Sequence, residues 1–270
     1  MIYKGFDITG KVCLITGGTS GLGKAIALGC AASGAKVIAG STSAAKVDAV
    51  RAELGAGHET VKLDVSDETS VAAAMDFAIK RYGRLDAVIN AAGVIQRKPS
   101  LDVSVEEFER IVRINLTGSF IVARNAARVM KEQPVDAKGQ RGSIVFIASL
   151  NSFISLSEVL AYASSKSGVL GLVRGLANEW APLGIRVNAI APGLFPTDLN
   201  RPLIENTPRG DWMREHTPQA RFGDAEELVG AAIYLISPSA SFTAGHTLIV
   251  DGGFLTRGVG SPGGPAKMPK

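Results

Sequence analysis

Hydrophobic residues along this chain fall into short runs with few polar interruptions, separated by longer stretches with a helical period. The runs VCLIT (12–16), AKVIA (35–39), TVKLDV (60–65), LDAVIN (85–90), GSIVFIAS (142–149), IRVNAIA (185–191) and TLIVD (247–251) read as seven strands. Most are apolar at consecutive positions, as strands are when helices cover both faces of a parallel sheet. Segments at 22–33, 44–54, 67–82, 104–131, 157–181 and 225–236 carry the spacing of helices that bury one face. This alternation predicts an α/β fold with a doubly wound parallel sheet of about seven strands. Ligands of such a sheet bind beyond the carboxyl ends of its strands.

No internal repeat or linker divides the chain, so residues 1–257 are expected to form a single domain. The stretch 192–223 holds five prolines and two short helix-like pieces and is too long for a plain connection. Its Trp, Phe, Leu and Met content predicts a substrate lid over about 193–223, after the sixth strand. The glycine- and proline-rich segment 258–270 is expected to be a flexible tail.

Composition narrows the function classes. A 46% hydrophobic and 20% charged content suits a globular protein with a sizeable core. The net charge of +4 raises the question of a nucleic-acid partner, but Lys and Arg are interspersed with acids and form no basic stripe. Cys13 and Cys30 sit inside apolar segments and read as core thiols of a reducing compartment. The histidines, His58, His216 and His246, lack metal-ligand spacing, so no metal site is expected. Neither a signal core nor a membrane-length apolar run occurs, and the cytoplasm is the expected location. Asn115-Leu116-Thr117 matches a glycosylation acceptor, a match without meaning in an unsecreted protein.

The first strand leads into Thr16-Gly17-Gly18-Thr19-Ser20-Gly21-Leu22-Gly23-Lys24. Glycines let the backbone approach a phosphate, and the following helix offers free N–H groups. A nucleotide-hydrolase loop fits Gly18-x4-Gly23-Lys24, but Ala25 stands where a Ser or Thr would hold magnesium. A dinucleotide-binding turn is the other reading, although the usual G-x-G-x-x-G spacing is absent. Among the four tyrosines only Tyr162 has a lysine four residues later, which places Lys166 on the same helix face. A nearby ammonium favours a phenolate, which suits proton exchange with a hydroxyl group. The same pair could also decorate a surface helix. Ser149 ends the fifth strand, where its hydroxyl could hold a substrate oxygen or simply shape a turn.

The spacing Gly17-x3-Gly21-x-Gly23, followed by Asp64-Val65, Asn90-Ala91-Ala92-Gly93, Asn115, Ser149, Tyr162-x3-Lys166 and Pro192-Gly193, resembles the short-chain dehydrogenase/reductase family over about residues 8–257. Ala91 departs from the family's second Asn in that segment. The resemblance implies a Rossmann-type fold and catalysis by Asn115, Ser149, Tyr162 and Lys166. Tyr162 would exchange the proton and Lys166 would bind the nicotinamide ribose and lower the tyrosine pKa. Asn115 would hold a relay water, with a buried packing amide as the alternative. Cofactor contacts are implied for Gly17, Thr19, Ser20, Gly21, Leu22, Gly23, Ser41, Thr42, Asp64, Val65, Asn90, Ala91, Gly93, Tyr162, Lys166, Pro192, Gly193 and Thr197. Substrate contacts are implied for Arg97, Ser149, Asn151 and Tyr162.

The second strand runs into Ser41-Thr42-Ser43 with no acid to repel a 2′-phosphate, so NADP(H) is favoured and NAD(H) remains possible. Segments 94–99, 217–223 and 245–254 resemble gluconate 5-dehydrogenases and related sugar-acid or polyol dehydrogenases. Arg97 could then clamp a substrate carboxylate, or Arg97 and Lys98 could form a solvated loop. Reduction of ketoacyl groups or general ketones is the rival within the family, and a non-catalytic dinucleotide sensor the rival outside it. The family resemblance also implies a homotetramer (or homodimer), with helices 104–131 and 157–181 and the last strand as interfaces.

Overall fold

The computed structural model describes residues 3–198 and 200–257, so the tail expected over 258–270 lies outside the described residues. Seven parallel strands form one sheet in the order β3-β2-β1-β4-β5-β6-β7. They are β1 (Val12–Thr16), β2 (Lys36–Ser41), β3 (Glu59–Lys62), β4 (Ala87–Asn90), β5 (Gly142–Ile147), β6 (Ile185–Pro192) and β7 (Thr247–Val250). The helices are α1 (Gly21–Ala32), α2 (Ala44–Leu54), α3 (Glu68–Tyr82), α4 (Val105–Val112), α5 (Gly118–Met130), α6 (Leu160–Trp180), α7 (Arg201–Ile204), α8 (Pro208–His216) and α9 (Val229–Ile236). The order of strands reverses between β1 and β4, and a crevice opens at such a reversal.

The consecutive apolar residues of β1 explain the layering. Leu14 packs into a cluster with Val71 of α3, Val122 of α5 and Val173 of α6. Cys13 and Ile15 belong to the opposite cluster, with Ile26 of α1, Val50 of α2 and Leu235 of α9. Because both faces are covered, truncating Leu14 to Ala should cost about 2–5 kcal/mol of stability. Cys13 and Cys30 are free and buried. Burial pushes the Cys13 thiol up and raises that of Cys30 to about 12, which keeps both unreactive.

Local signals set the helix ends. Asp67 accepts from the Thr69 amide at 2.9 Å to open α3, and Gly83 closes it with φ +77°. Ser104 and Glu107 form a capping box at the start of α4. The third strand stops at Lys62 rather than running to 65, because Asp64 turns back to accept from the Ser66 amide at 2.9 Å. The expected helix 104–131 is interrupted by a wide π-helical turn, Arg113–Thr117, between α4 and α5. The stretch after β6 carries two short helices, α7 and α8, as its sequence predicts. Among the described residues, no helix is long and apolar enough to cross a membrane.

Candidate active site

The turn between β1 and α1 is built from backbone packed on backbone. Gly17 takes φ +66°, and a methyl group there would lie 2.8 Å from the Ala92 nitrogen. A methyl at Gly23 would sit 2.3 Å from the Gly17 carbonyl oxygen, so neither position admits a side chain. Ser20 precedes the helix without capping it, leaving the first N–H groups of α1 unclaimed by a side chain. The Thr19 Oγ1 is buried and has no hydrogen-bond partner among the described residues. An uncapped helix start, an orphaned hydroxyl and a glycine cradle together fit the pyrophosphate of a dinucleotide.

This turn forms one wall of a cleft of about 450 Å³ at the carboxyl edge of the sheet. Ala91, Ala92 and Gly93 after β4, Ile147 to Ser149 after β5, and Pro192 and Gly193 after β6 complete its floor. Tyr162 and Lys166 of α6 enter from one side, while Phe195, Thr197, Asp198 and Asn200 of the segment after β6 close the other. Thr197 sits over the glycine turn, its Cγ2 3.3 Å from where a Gly21 methyl would be. Asn200 holds that segment by accepting from the Thr197 amide at 2.7 Å.

Four catalytic candidates converge here, in unequal roles. Tyr162 and Ser149 both line the cleft, and the Ser149 Oγ accepts from the Asn151 amide at 3.1 Å. The Lys166 ammonium lies 5.7 Å from the Tyr162 ring centroid and donates to the Ile147 carbonyl at 2.7 Å. Burial lowers the Lys166 pKa to about 8. Burial also raises the Tyr162 pKa, with Ser149 pulling the other way. The expected drop in the Tyr162 pKa under the pull of Lys166 is therefore not the balance found. Desolvation outweighs the effect of Ser149, while the Lys166 ammonium is engaged by a carbonyl.

Asn115 occupies the π-helical turn and is fully buried. Its amide accepts from the Val94 nitrogen and donates to the Val94 carbonyl, both at 2.9 Å, and donates to Ser165 Oγ at 3.0 Å. Ser165 Oγ in turn donates to the Tyr162 carbonyl at 2.7 Å. Asn115 thus ties the loop after β4 to the helix that carries Tyr162 and Lys166. Ser165, a link in that chain, is a residue the sequence reading missed.

Several expected contacts lie elsewhere. Asn90 clamps the end of β1 to α5, accepting from Thr16 Oγ1 and donating to Ser119 Oγ. Asn151 caps its own loop by accepting from the Leu156 amide at 3.1 Å. Ser41, Thr42, Asp64 and Val65 stand at the ends of β2 and β3, beyond the enclosed part of the cleft. Arg97 does not line it either: it pairs with Glu158, which also has Arg209 of α8 at 3.6 Å. Lys98 is held by Glu107 at 2.8 Å, so both basic residues of that loop are engaged within the protein. Conversely, exposed Lys46 lines the cleft from the first turn of α2. The signal for it was a lone cation three residues after the α2 cap Ser43, next to a strand end without an acid.

A family model described as enoyl-(acyl carrier protein) reductase matches residues 17–255. The chain belongs to the short-chain dehydrogenase/reductase family. It is 37% identical over 262 residues to 2-dehydro-3-deoxy-D-gluconate 5-dehydrogenase of Formosa agariphila, covering 95% of this chain and 97% of that one. D-threitol dehydrogenase of Mycolicibacterium smegmatis is 36% identical over 252 residues, with 92% and 94% covered. The crystal structure of a gluconate 5-dehydrogenase from Burkholderia cenocepacia in complex with NADP and tartrate superposes with a TM-score of 0.85 at 35% identity, over 94% of this chain and 98% of that one. As in this family generally, the chain is a dehydrogenase/reductase acting on a CH–OH group.

Proposed function

We propose that this enzyme interconverts a secondary alcohol and a ketone of a sugar acid or polyol, using NADP(H) in preference to NAD(H). The observation that carries the reading is the convergence of Ser149, Tyr162 and the buried Lys166 in one cleft, the ammonium 5.7 Å from the tyrosine ring. The nicotinamide cofactor supplies or accepts the hydride when bound. Tyr162 supplies or removes the hydroxyl proton, Ser149 holds the reacting oxygen, and Lys166 binds the ribose and keeps positive charge near the tyrosine. Asn115 acts through others, fixing the catalytic helix against the loop after β4.

Thr19, Ser20 and the glycines would hold the pyrophosphate, and Ser41, Thr42 and Lys46 the adenosine end. The acid-free end of β2 and the cation at Lys46 support NADP(H), as does the NADP bound by the related gluconate 5-dehydrogenase. The relatives are named for sugar acids and for a polyol, which supports this substrate class. A panel of sugar acids, polyols, simple ketones and an acetoacetyl thioester, run with both cofactors, tests the assignment. Turnover confined to the thioester would favour the second reading, acyl-group reduction, for which the description of the family model speaks.

A homotetramer is part of the same proposal. Among the described residues strand β7 has no neighbour on its outer side, and Phe242, Val105 and Leu160 are exposed beside or on the elements expected to form interfaces. So is a cytoplasmic location, supported by two buried free thiols.

A further inference from the structure

The opposite edge of the sheet, at the amino ends of its strands, holds a second cavity of about 210 Å³ that the catalytic cleft does not use. Arg186, the second residue of β6, lines it and is only 6% exposed. Its guanidinium makes no ion pair or hydrogen bond among the described residues, and its Nη1 is buried without a partner. Gln140, on the loop before β5, lines the same cavity, and its Oε1 is likewise buried and unpartnered. The lining of this small cavity thus carries a buried, unpaired guanidinium and an amide oxygen without a partner.

The nearby groups that could satisfy Arg186 are engaged elsewhere. Asp86 is bound by Arg84 at 2.6 Å and by the Val12 amide at 2.8 Å. One oxygen of Asp136 accepts from the amides of Lys138 at 2.8 Å and Gln140 at 2.9 Å. At the end of α9 the Leu235 carbonyl takes Ser143 Oγ and the Tyr234 carbonyl takes Ser237 Oγ, at 2.9 and 2.8 Å. Four cations line the cavity, Lys11, Arg84, Arg141 and Arg186, against two carboxylates, Asp86 and Asp136. Burial lowers the Arg186 pKa to about 10, with Tyr234 and Asp136 acting to raise it, so the group stays charged at neutral pH. Asp136 offsets part of that charge, and a neutral water would leave the rest uncompensated, which is costly for a buried ion.

We propose that this cavity is a binding site for a small oxyanion that carries a hydroxyl, of which hydrogen phosphate is the simplest. Its charged oxygens would accept from the Arg186 guanidinium, and its hydroxyl would donate to Gln140 Oε1. A short 2-hydroxy acid presents the same two groups and is the alternative source of the chemistry. The site is independent of the cofactor cleft, which lies at the other end of the strands.

Arsenate, a hydrogen phosphate mimic with an anomalous signal, would locate the site in crystals of the full chain. The expected result is a peak within hydrogen-bond distance of Arg186 Nη1 and Gln140. Calorimetric titration with inorganic phosphate, and separately with lactate, should show binding that weakens about ten- to a hundredfold in Arg186→Met, the loss of one charge-assisted hydrogen bond. Gln140→Leu lies on a partly exposed loop and should weaken binding about tenfold even where the arginine variant does not fold. Saturation by phosphate or by lactate each supports the site and identifies the source. A cavity filled by water alone, a peak only at the glycine turn, or affinities unchanged in Gln140→Leu would overturn it.

Discussion

Lys166 stands 5.7 Å from the centre of the Tyr162 ring while its ammonium is spent on the Ile147 carbonyl at 2.7 Å. The two residues share a helix face, yet the lysine touches the end of β5 rather than the phenol oxygen. Its contribution to the tyrosine is therefore a field of positive charge, whereas proton exchange rests on the Tyr162 hydroxyl. Tyr162→Phe should lower kcat about a thousandfold, the usual reach of a general acid or base. NADPH binding, followed by cofactor fluorescence, should survive. Substantial turnover in that variant would refute the assignment.

Lys166 also predicts a pH effect on stability. Its pKa falls from the usual 10.5 to about 8 in the folded chain, because burial disfavours the ammonium. Below pH 8 the lysine is charged in both states, and the folded state bears the full penalty. Between pH 8 and 10.5 the unfolded chain binds the extra proton, so this penalty is relieved as pH rises. It amounts to about 3 kcal/mol. The stability of Lys166→Met relative to the parent, from denaturant midpoints, should be greatest near neutrality and decline above pH 8. A difference that is flat with pH would show that the lysine keeps its ordinary pKa in the folded chain.

Cofactor choice should turn on Lys46 and Ser41. Lys46→Ala should reduce kcat/KM for NADPH about tenfold while leaving NADH nearly unchanged, since only NADP carries a phosphate to meet it. Ser41→Asp should move preference toward NAD by repelling that phosphate and holding the ribose hydroxyls. Steady-state kinetics with both cofactors would decide, and equal losses for the two would remove Lys46 from phosphate recognition.

The Arg97–Glu158–Arg209 cluster makes a further prediction. Arg97 meets the residue just before the catalytic helix and, through Glu158, helix α8. Arg97→Ala should lower kcat/KM for a sugar acid and for a neutral polyol to the same extent, by loosening that junction. A loss confined to the acid would instead make Arg97 the carboxylate anchor.

Gly17→Ala should destabilise the fold by about 2 kcal/mol or more, since a positive φ alone costs an L-residue 1–2 kcal/mol and the methyl would also press on Ala92. Thermal unfolding measures this directly. An unchanged midpoint would mean that the β1–α1 turn can relax away from the segment after β4.

The layering was legible in the sequence because strands such as VCLIT are apolar on both faces, a pattern that few other folds require. Tyr162, Lys166 and Ser149 were legible because their chemistry depends on spacing along one helix and one strand end. Lys46 was barely so: the local signal is a single cation after Ser43, and its place in the cleft comes from how α2 packs against β2 and β3. The pairing of Arg97 was hidden for the same reason, since its partner Glu158 is 61 residues away. Asp64 ended β3 early by a local hydrogen bond that competes with the ladder, a preference a β-branched run conceals.

The wide turn at Arg113–Thr117 gives the helix between residues 105 and 130 a phase that ordinary winding would not produce. Removing one residue from it would rotate everything downstream by about 100° about the helix axis. Ile121, Val122 and Ala126 would swing off the sheet, and Asn115 would lose its alignment with Val94 and Ser165. Length in this segment is thus as constrained as residue identity, and insertions or deletions should be tolerated in the α5–β5 loop at 131–141 well before they are tolerated here.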